Sequence, residues 1–195
     1  MTFIQLIYKA FKRIRMDCFF FLFKKRFKYV GKGSVVLKPL KIDGIESISI
    51  GENVTIHEGA WLAAVPLCGD AASLILGDGT ILGHNNHIYA TKEVIVGKNV
   101  LTADKVYIGD NSHSYEDVNI PISQQPIKQL STVRIGDDSW LGENVCIIGA
   151  SIGKHCVIGA NSVVTKDIPD YCVAVGSPAK VIRKYDPIVN RWEKV

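Results

Sequence analysis

Several things are scarce in this chain of 195 residues, and each scarcity excludes something. The five cysteines (18, 68, 146, 156 and 172) contain no Cys-x-x-Cys pair and are odd in number. That argues against a disulfide framework and for reduced thiols, packed as small hydrophobes in a cytosolic protein. Acids are nearly missing from residues 1–32, where nine Lys and Arg face the single acid Asp17. Phenylalanine is missing after residue 27, and all seven lie up to that point. In this first segment the longest uninterrupted apolar run is Cys18–Phe23, six residues, whereas spanning a bilayer takes roughly 20. A secretory signal would need a longer apolar stretch and a small-residue cleavage site. The expectation is a cytoplasmic protein. Residues 33–195 carry 14 basic groups against 18 acids, so the chain is not uniformly basic and no nucleic-acid partner is expected.

What is present divides into two materials. Within residues 1–32, Ile4, Ile7, Phe11, Ile14, Cys18 and Phe21 are spaced by three and four, which predicts one apolar face of a helix. Lys24, Lys25, Arg26 and Lys28 follow as a basic cluster. A cationic helix with an aromatic face suits the surface of an anionic membrane, through residues 1–30. Packing against the domain or a neighbouring subunit suits it equally.

From residue 33 an aliphatic-Gly pair keeps returning: Ile50-Gly51, Leu76-Gly77, Leu82-Gly83, Val96-Gly97, Ile108-Gly109, Ile135-Gly136, Leu141-Gly142, Ile152-Gly153 and Ile158-Gly159. The starts differ by six, by twelve, or by values near a multiple of six. A helix repeats near 3.6 and a strand at 2, whereas six is a period of parallel β-helices. One aliphatic per hexad points inward, and the Gly beside it is expected to relieve crowding at a sharp turn or to accept a positive φ. Val54, Thr80, Val100, Val145, Cys156 and Ser162, four positions after the aliphatic, complete the interior. The step from Ile108 to Ile135 is three over a multiple of six, so a loop leaves the coil over 110–130. Polar excursions from a rigid scaffold are where sites tend to sit. Pro169 and Gly176-Ser177-Pro178 punctuate the end of the stack. The organisation expected is a leader (1–32), a coiled β domain (33–184) and a tail (185–195) that forms a short helix or an arm.

With the hexads, His113 in its loop, the run Ile158–Pro169 and the run Gly176–Arg183, the chain resembles the hexapeptide-repeat acetyltransferases. More narrowly, the segment Val106-Tyr107-Ile108-Gly109-Asp110 before His113 and the tail Arg191–Lys194 resemble bacterial lipopolysaccharide O-antigen and capsule O-acetyltransferases. The resemblance implies an all-β fold, a left-handed parallel β-helix of triangular section. It also implies a homotrimer with acetyl-CoA bound between subunits, a sugar acceptor and no metal. Periodicity alone gives no handedness, and a left-handed coil departs from the usual right-handed crossover.

The family's essential histidine matches His113, which follows Gly97 at the family's offset. Histidine suits the role of general base toward a sugar hydroxyl, because its neutral form is available near pH 7. Its other ring nitrogen needs a partner: Asp110, Glu116, Asp117 or a backbone carbonyl. Many relatives carry His where this chain has Asn111. For the cofactor the matched positions are Gly142, Ala160, Thr165, Lys166, Lys180 and Arg183. The last three carry the positive charge that phosphates attract. Acceptor contacts are assigned to Asn85, His87, Asp110 and Tyr115. Read without the resemblance, His84 and His87 are solvated turn residues. A γ-type carbonic anhydrase would need a second histidine five beyond His113, where Val118 stands. An aminosugar N-acetyltransferase would use the same base and cofactor, and a non-catalytic scaffold would need neither.

Overall fold

The computed structural model describes residues 23–67 and 69–195. Most of the expected leader helix lies outside them. Among the described residues Lys24–Arg26 form a single 3-10 turn, and Tyr29–Val30 already pair in parallel with Ser49–Ile50. The coil therefore begins within the segment assigned to the leader.

Three short strands make one turn of the coil, each on its own face of a triangular prism. One turn runs through Ser73–Leu76, Ile81–Leu82 and His87–Ala90, and the next through Glu93–Val96, Leu101–Thr102 and Tyr107–Gly109. Equivalent strands pair in parallel and in register, as Leu74↔Val94, Leu101↔Ile81 and Ile88↔Ile108. The result is three sheets, parallel throughout the coil, wound as a left-handed β-helix. The coil tightens slightly along its length: Ile88 pairs with Ile108 in the middle, whereas near the C-terminus Trp140 pairs with Val157. Two intervals are longer. Ile48 pairs with Leu74 because residues 65–72 bulge out of the coil, and Val94 pairs with Val133 because the 110–130 segment does the same.

All nine repeated aliphatics and all six of the residues expected to complete the interior are at most 2% exposed. Where an inward residue is polar, its hydroxyl bridges two coils. Thr80 Oγ1 donates to the Gly97 carbonyl (2.7 Å) and accepts from Val100 N–H (3.2 Å). Ser139 does the same with Gly153 and Cys156. Cys156 and Cys172 are buried free thiols, and burial pushes both upward in pKa, as expected of packing residues.

The glycines relieve crowding, but none of the nine has a positive φ. A Cβ on Gly77 would fall 2.5 Å from the carbonyl carbon of Gly97 in the next coil, too close for any carbon. The positive φ sits two positions later, on Asn53, Asn85, Asn99, Asp138, Asn144 and Asn161, at 52° to 60°. Asn and Asp tolerate the left-handed region because their short polar groups bond locally. Along these corners Asn99 Nδ2 donates to Asp138 Oδ1 (3.1 Å) and Asn144 Nδ2 to Asn161 Oδ1 (3.2 Å).

The stack closes with an antiparallel meander. Ala179–Asp186 pairs with Cys172–Gly176 on one side and Arg191–Lys194 on the other. The tail is thus strand, neither helix nor arm. Among the described residues no helix is long and apolar enough to cross a membrane.

Replacing Gly77 by Ala is expected to lower stability by about 1–3 kcal/mol, the usual cost of overpacking. Gly69→Ala, where an added Cβ meets nothing within 4 Å, is expected to leave it unchanged. Denaturant unfolding of the two variants checks the pair.

Candidate functional site

The excursion at 110–130 is a β-hairpin: Asn111–His113 pairs antiparallel with Ile127–Gln129, with His113 opposite Ile127. Both ends of the hairpin are fixed to the coil at one side chain. Asp110 is fully buried, and its carboxylate accepts hydrogen bonds from Thr91 N–H (2.8 Å), Thr91 Oγ1 (2.9 Å), Lys92 N–H (2.7 Å) and Glu93 N–H (2.9 Å). Asn111 Nδ2 donates to it as well, at 3.2 Å. On the return strand Gln129 Nε2 donates to the Asp110 carbonyl (2.9 Å), while Gln129 Oε1 lies 2.7 Å from Thr91 Oγ1 and shares that hydroxyl's one proton with the Asp110 carboxylate. The corner at 90–93, where the chain passes between faces, supplies three backbone N–H groups that would otherwise need partners elsewhere.

This geometry corrects two expectations for Asp110. Its oxygens are occupied by the backbone of the preceding coil, so it neither orients the His113 ring nor stands open to an acceptor. The other two acids named for His113 are also engaged elsewhere. Lys128 Nζ lies 2.5 Å from Glu116 Oε1 and holds the pKa of that carboxyl down to about 2, and Asp117 Oδ1 accepts from Asn119. The His113 ring is exposed and makes no hydrogen bond within the described residues of one chain.

His113 stands on the rim of a cleft of about 460 Å³. The opposite wall is aromatic. Trp61 and His87 lie parallel, 4.1 Å apart at 5°, and Tyr107 meets His87 edge-on at 5.1 Å. Tyr89 stands edge-on to both Trp61 and His87. The arrangement follows from register, since Trp61↔His87 and His87↔Tyr107 are cross-strand partners pointing out of one face. Leu67 closes the cleft from the 65–72 bulge, and Ile127 and Ile148 close it from the hairpin and the next coil. His87 is a strand residue, half-buried, and not a solvated turn histidine. Its Nε2 is buried without a hydrogen-bond partner among the described residues, and desolvation lowers its pKa, which favours the neutral ring.

The remaining predicted residues are distributed. Asn85 is an exposed corner residue with φ 55°, and Tyr115 is 66% exposed beyond the hairpin; neither lines the cleft in a single chain. His84 is exposed at the same corner as Asn85, with Nδ1 3.2 Å from Asp104. Gly142 is buried, and its backbone is already committed: its N–H donates to the Ile158 carbonyl. A Cβ there would meet Ala160 N at 2.7 Å, so this glycine is required by coil stacking and offers no free N–H. Ala160, Thr165, Lys166, Lys180 and Arg183 are all exposed at the C-terminal end of the coil. Lys166, Lys180 and Arg183 form no ion pair among the described residues, which leaves three cations available to an anionic ligand.

Sequence reasoning missed Trp61, Leu67, Tyr89, Tyr107, Ile127 and Ile148 as lining residues. A signal was there: Trp61, His87 and Tyr107 are separated by the same intervals as the inward pairs Ile48↔Leu74 and Leu74↔Val94.

Several known proteins are similar to this chain. The family model described as the hexapeptide repeat of succinyl-transferase matches residues 132–166. A Mycobacterium tuberculosis protein described as a probable acetyltransferase is 38% identical over 161 residues, 80% of this chain. The chain spans about half of that relative, 49% of its length. An Escherichia coli protein described as a putative lipopolysaccharide biosynthesis O-acetyl transferase, WbbJ, is 35% identical over 167 residues, 82% of this chain and 83% of that one. Among solved structures AntD, a Bacillus cereus N-acyltransferase crystallised with dTDP-4-amino-4,6-dideoxyglucose and coenzyme A, superposes with a TM-score of 0.71. The match covers 86% of this chain and 90% of AntD at 22% identity, a likeness of fold. The chain belongs to the hexapeptide-repeat acetyltransferase family.

Removing the Asp110 carboxylate (Asp110→Ala) is expected to cost roughly 3 kcal/mol, the scale of a lost hydrogen bond to a charged group with donors left unpaired. Hydrogen exchange should quicken across 111–130 and at 91–93 and stay slow in the coils beyond them.

Proposed function

We propose that this protein transfers an acetyl group from acetyl-CoA to a sugar hydroxyl of a bacterial surface polysaccharide or its precursor. The observation that carries the reading is an exposed imidazole, His113, held at the rim of a cleft by a stapled hairpin. An alcohol attacks a thioester poorly until its proton begins to leave, and a neutral histidine is the side chain suited to take it near pH 7. His113 accepts that proton as the hydroxyl oxygen bonds to the acyl carbon; the thiolate of CoA departs and is protonated in turn. No acyl-enzyme is needed, in keeping with the buried, upward-shifted thiols of Cys156 and Cys172. Lys166, Lys180 and Arg183 supply positive charge for the cofactor's phosphates, and Thr165 and the small Ala160 border its arm.

The O-transfer reading draws on the similarity to the E. coli lipopolysaccharide protein. Transfer to an amino group of a nucleotide sugar is the second reading, favoured by the fold likeness to AntD. We assign the working form to a homotrimer, in which a neighbouring copy completes the surroundings of His113, since among the described residues no group of its own chain orients the ring. The exposed Asn85 and Tyr115 then reach the acceptor from a subunit boundary. Residues 1–30 place the enzyme on the cytoplasmic face of the membrane. The basic cluster Lys24, Lys25, Arg26 and Lys28 and the exposed Tyr29 and Leu40 support that reading, because anionic lipid attracts basic groups beside apolar ones.

His113→Ala is expected to lower turnover by about 10²–10⁴-fold with the coil intact, read as CoA thiol release in the presence of acceptor. Near-normal turnover removes His113 from the mechanism. A chain lacking residues 1–22 and carrying Lys25→Gln and Lys28→Gln, which leaves every described strand in place, is expected to lose most of its co-sedimentation with phosphatidylglycerol vesicles. Sedimentation equal to that of the full chain refutes the anchoring role.

A further inference from the structure

We infer that the acceptor is an uncharged pyranose, bound on the N-terminal side of His113 with an apolar flank against the Trp61–His87–Tyr107 wall. This rests on the acetyl-transfer reading and specifies its substrate class. Along the third face the order of strands is fixed: Lys41–Asp43, Trp61–Ala64, His87–Ala90, Tyr107–Gly109, Cys146–Ile148, Val163–Val164. The cations suited to cofactor phosphates, Lys166, Lys180 and Arg183, all follow the last of these in the chain. The aromatic wall lies on the coils before the hairpin. His113 therefore separates a cationic end from an aromatic end, and the two ends suit two different substrates.

The chemistry of the aromatic end is specific. Among the described residues its lining carries no Lys, Arg, Asp or Glu, and the imidazole half-buried in it, His87, is biased to its neutral form by desolvation. The nearest charges beyond Trp61 are already used. Asp43 Oδ2 accepts from Trp61 Nε1 (2.9 Å) and pairs with Lys41 Nζ (3.0 Å), and that ammonium sits 5.1 Å from the Trp61 ring. A carboxylated sugar in this cleft would lose its hydration and gain no unpaired counter-charge from the described lining, since Lys128, across the hairpin from Ser112, is held by Glu116. A neutral ring fits the division of the lining: Asn111, Ser112 and His113 on the hairpin face its hydroxyl-bearing edge, while Trp61, Leu67 and Ile148 face its carbon-bound hydrogens. A methyl in place of a hydroxymethyl group strengthens that apolar flank, so a 6-deoxyhexose is the favoured acceptor. The cleft volume of about 460 Å³ lies within the range of small-molecule pockets.

The test compares p-nitrophenyl glycosides that share a ring and differ at one carbon: a 6-deoxyhexoside, the hexoside and the hexuronide, each with saturating acetyl-CoA. The expected order of kcat/KM follows that sequence, with the uronide at least about 10-fold below the deoxyhexoside, a discrimination that pocket contacts readily supply. Leu67→Asn, a change in the bulge outside the coil, and Trp61→Leu are both expected to raise the KM for the deoxyhexoside several-fold while the KM for acetyl-CoA stays fixed. A uronide accepted as well as the deoxyhexoside overturns the inference alone. An acceptor KM unmoved by both variants, in protein with an unchanged unfolding midpoint, also overturns it. No transfer to any glycoside overturns the acetyl-transfer reading beneath it.

Discussion

The coils of this protein approach each other so closely that, at one position in many of the hexads, only a hydrogen atom fits between them. At Gly77 the space a Cβ would need is taken by the Gly97 carbonyl group, and at Gly136 by the backbone of Gly153 and Lys154. The ladder hydrogen bonds fix the axial spacing of the coils, glycine lets the corners close to that spacing, and the parallel pairing holds the register of all three faces. Register in turn determines which outward side chains become neighbours. Trp61 lies flat on His87, and His87 against Tyr107, because their strands are paired residue to residue.

A column so regular repeats the same outward surface from coil to coil, and this concave site arises where it is interrupted. The two interruptions, at 65–72 and 110–130, open on the same cleft, contributing Leu67 on one side and Asn111, Ser112, His113 and Ile127 on the other. The larger is anchored through Asp110, whose oxygens satisfy three backbone N–H groups of the preceding coil, while Gln129 ties the returning strand to the same point. Burying a carboxylate is costly unless it is fully hydrogen-bonded. Here the donors come from a corner whose N–H groups needed acceptors in any case, so two requirements offset each other.

Much of this is legible in the sequence, and for a physical reason. The hexad reports a local steric rule repeated in every coil, so Ile50, Leu82 and Ile158 can be placed inside without knowing the fold's handedness. The glycines are only half legible. Their role in close approach is evident, but the positive φ belongs to Asn53, Asn99 and Asn144 two positions on, because the turn's left-handed residue sits past the corner. His113 is reached through resemblance, and its hairpin through a break in the period. The partners of His113 are not legible, because Asp110, near in sequence, points into the preceding coil at Thr91 and Glu93, a distant contact that local reading does not register. The aromatic wall escapes for the same reason. It is made by residues one coil apart, invisible to a search for neighbours yet implied by the coil's own interval. The terminal meander, with Tyr185 packed near Trp192, follows no hexad at all and leaves no periodic trace.

The hairpin at 110–130 leaves the prism and returns to it with the parallel register uninterrupted: Val94 pairs with Val133 just as it pairs with Leu74. The coil on either side therefore contains no record of how long the departure was. Architecture and chemistry are encoded in separable stretches of the chain. Evolution can lengthen, shorten or rewrite the departing segment without renegotiating the packing of the column that carries it.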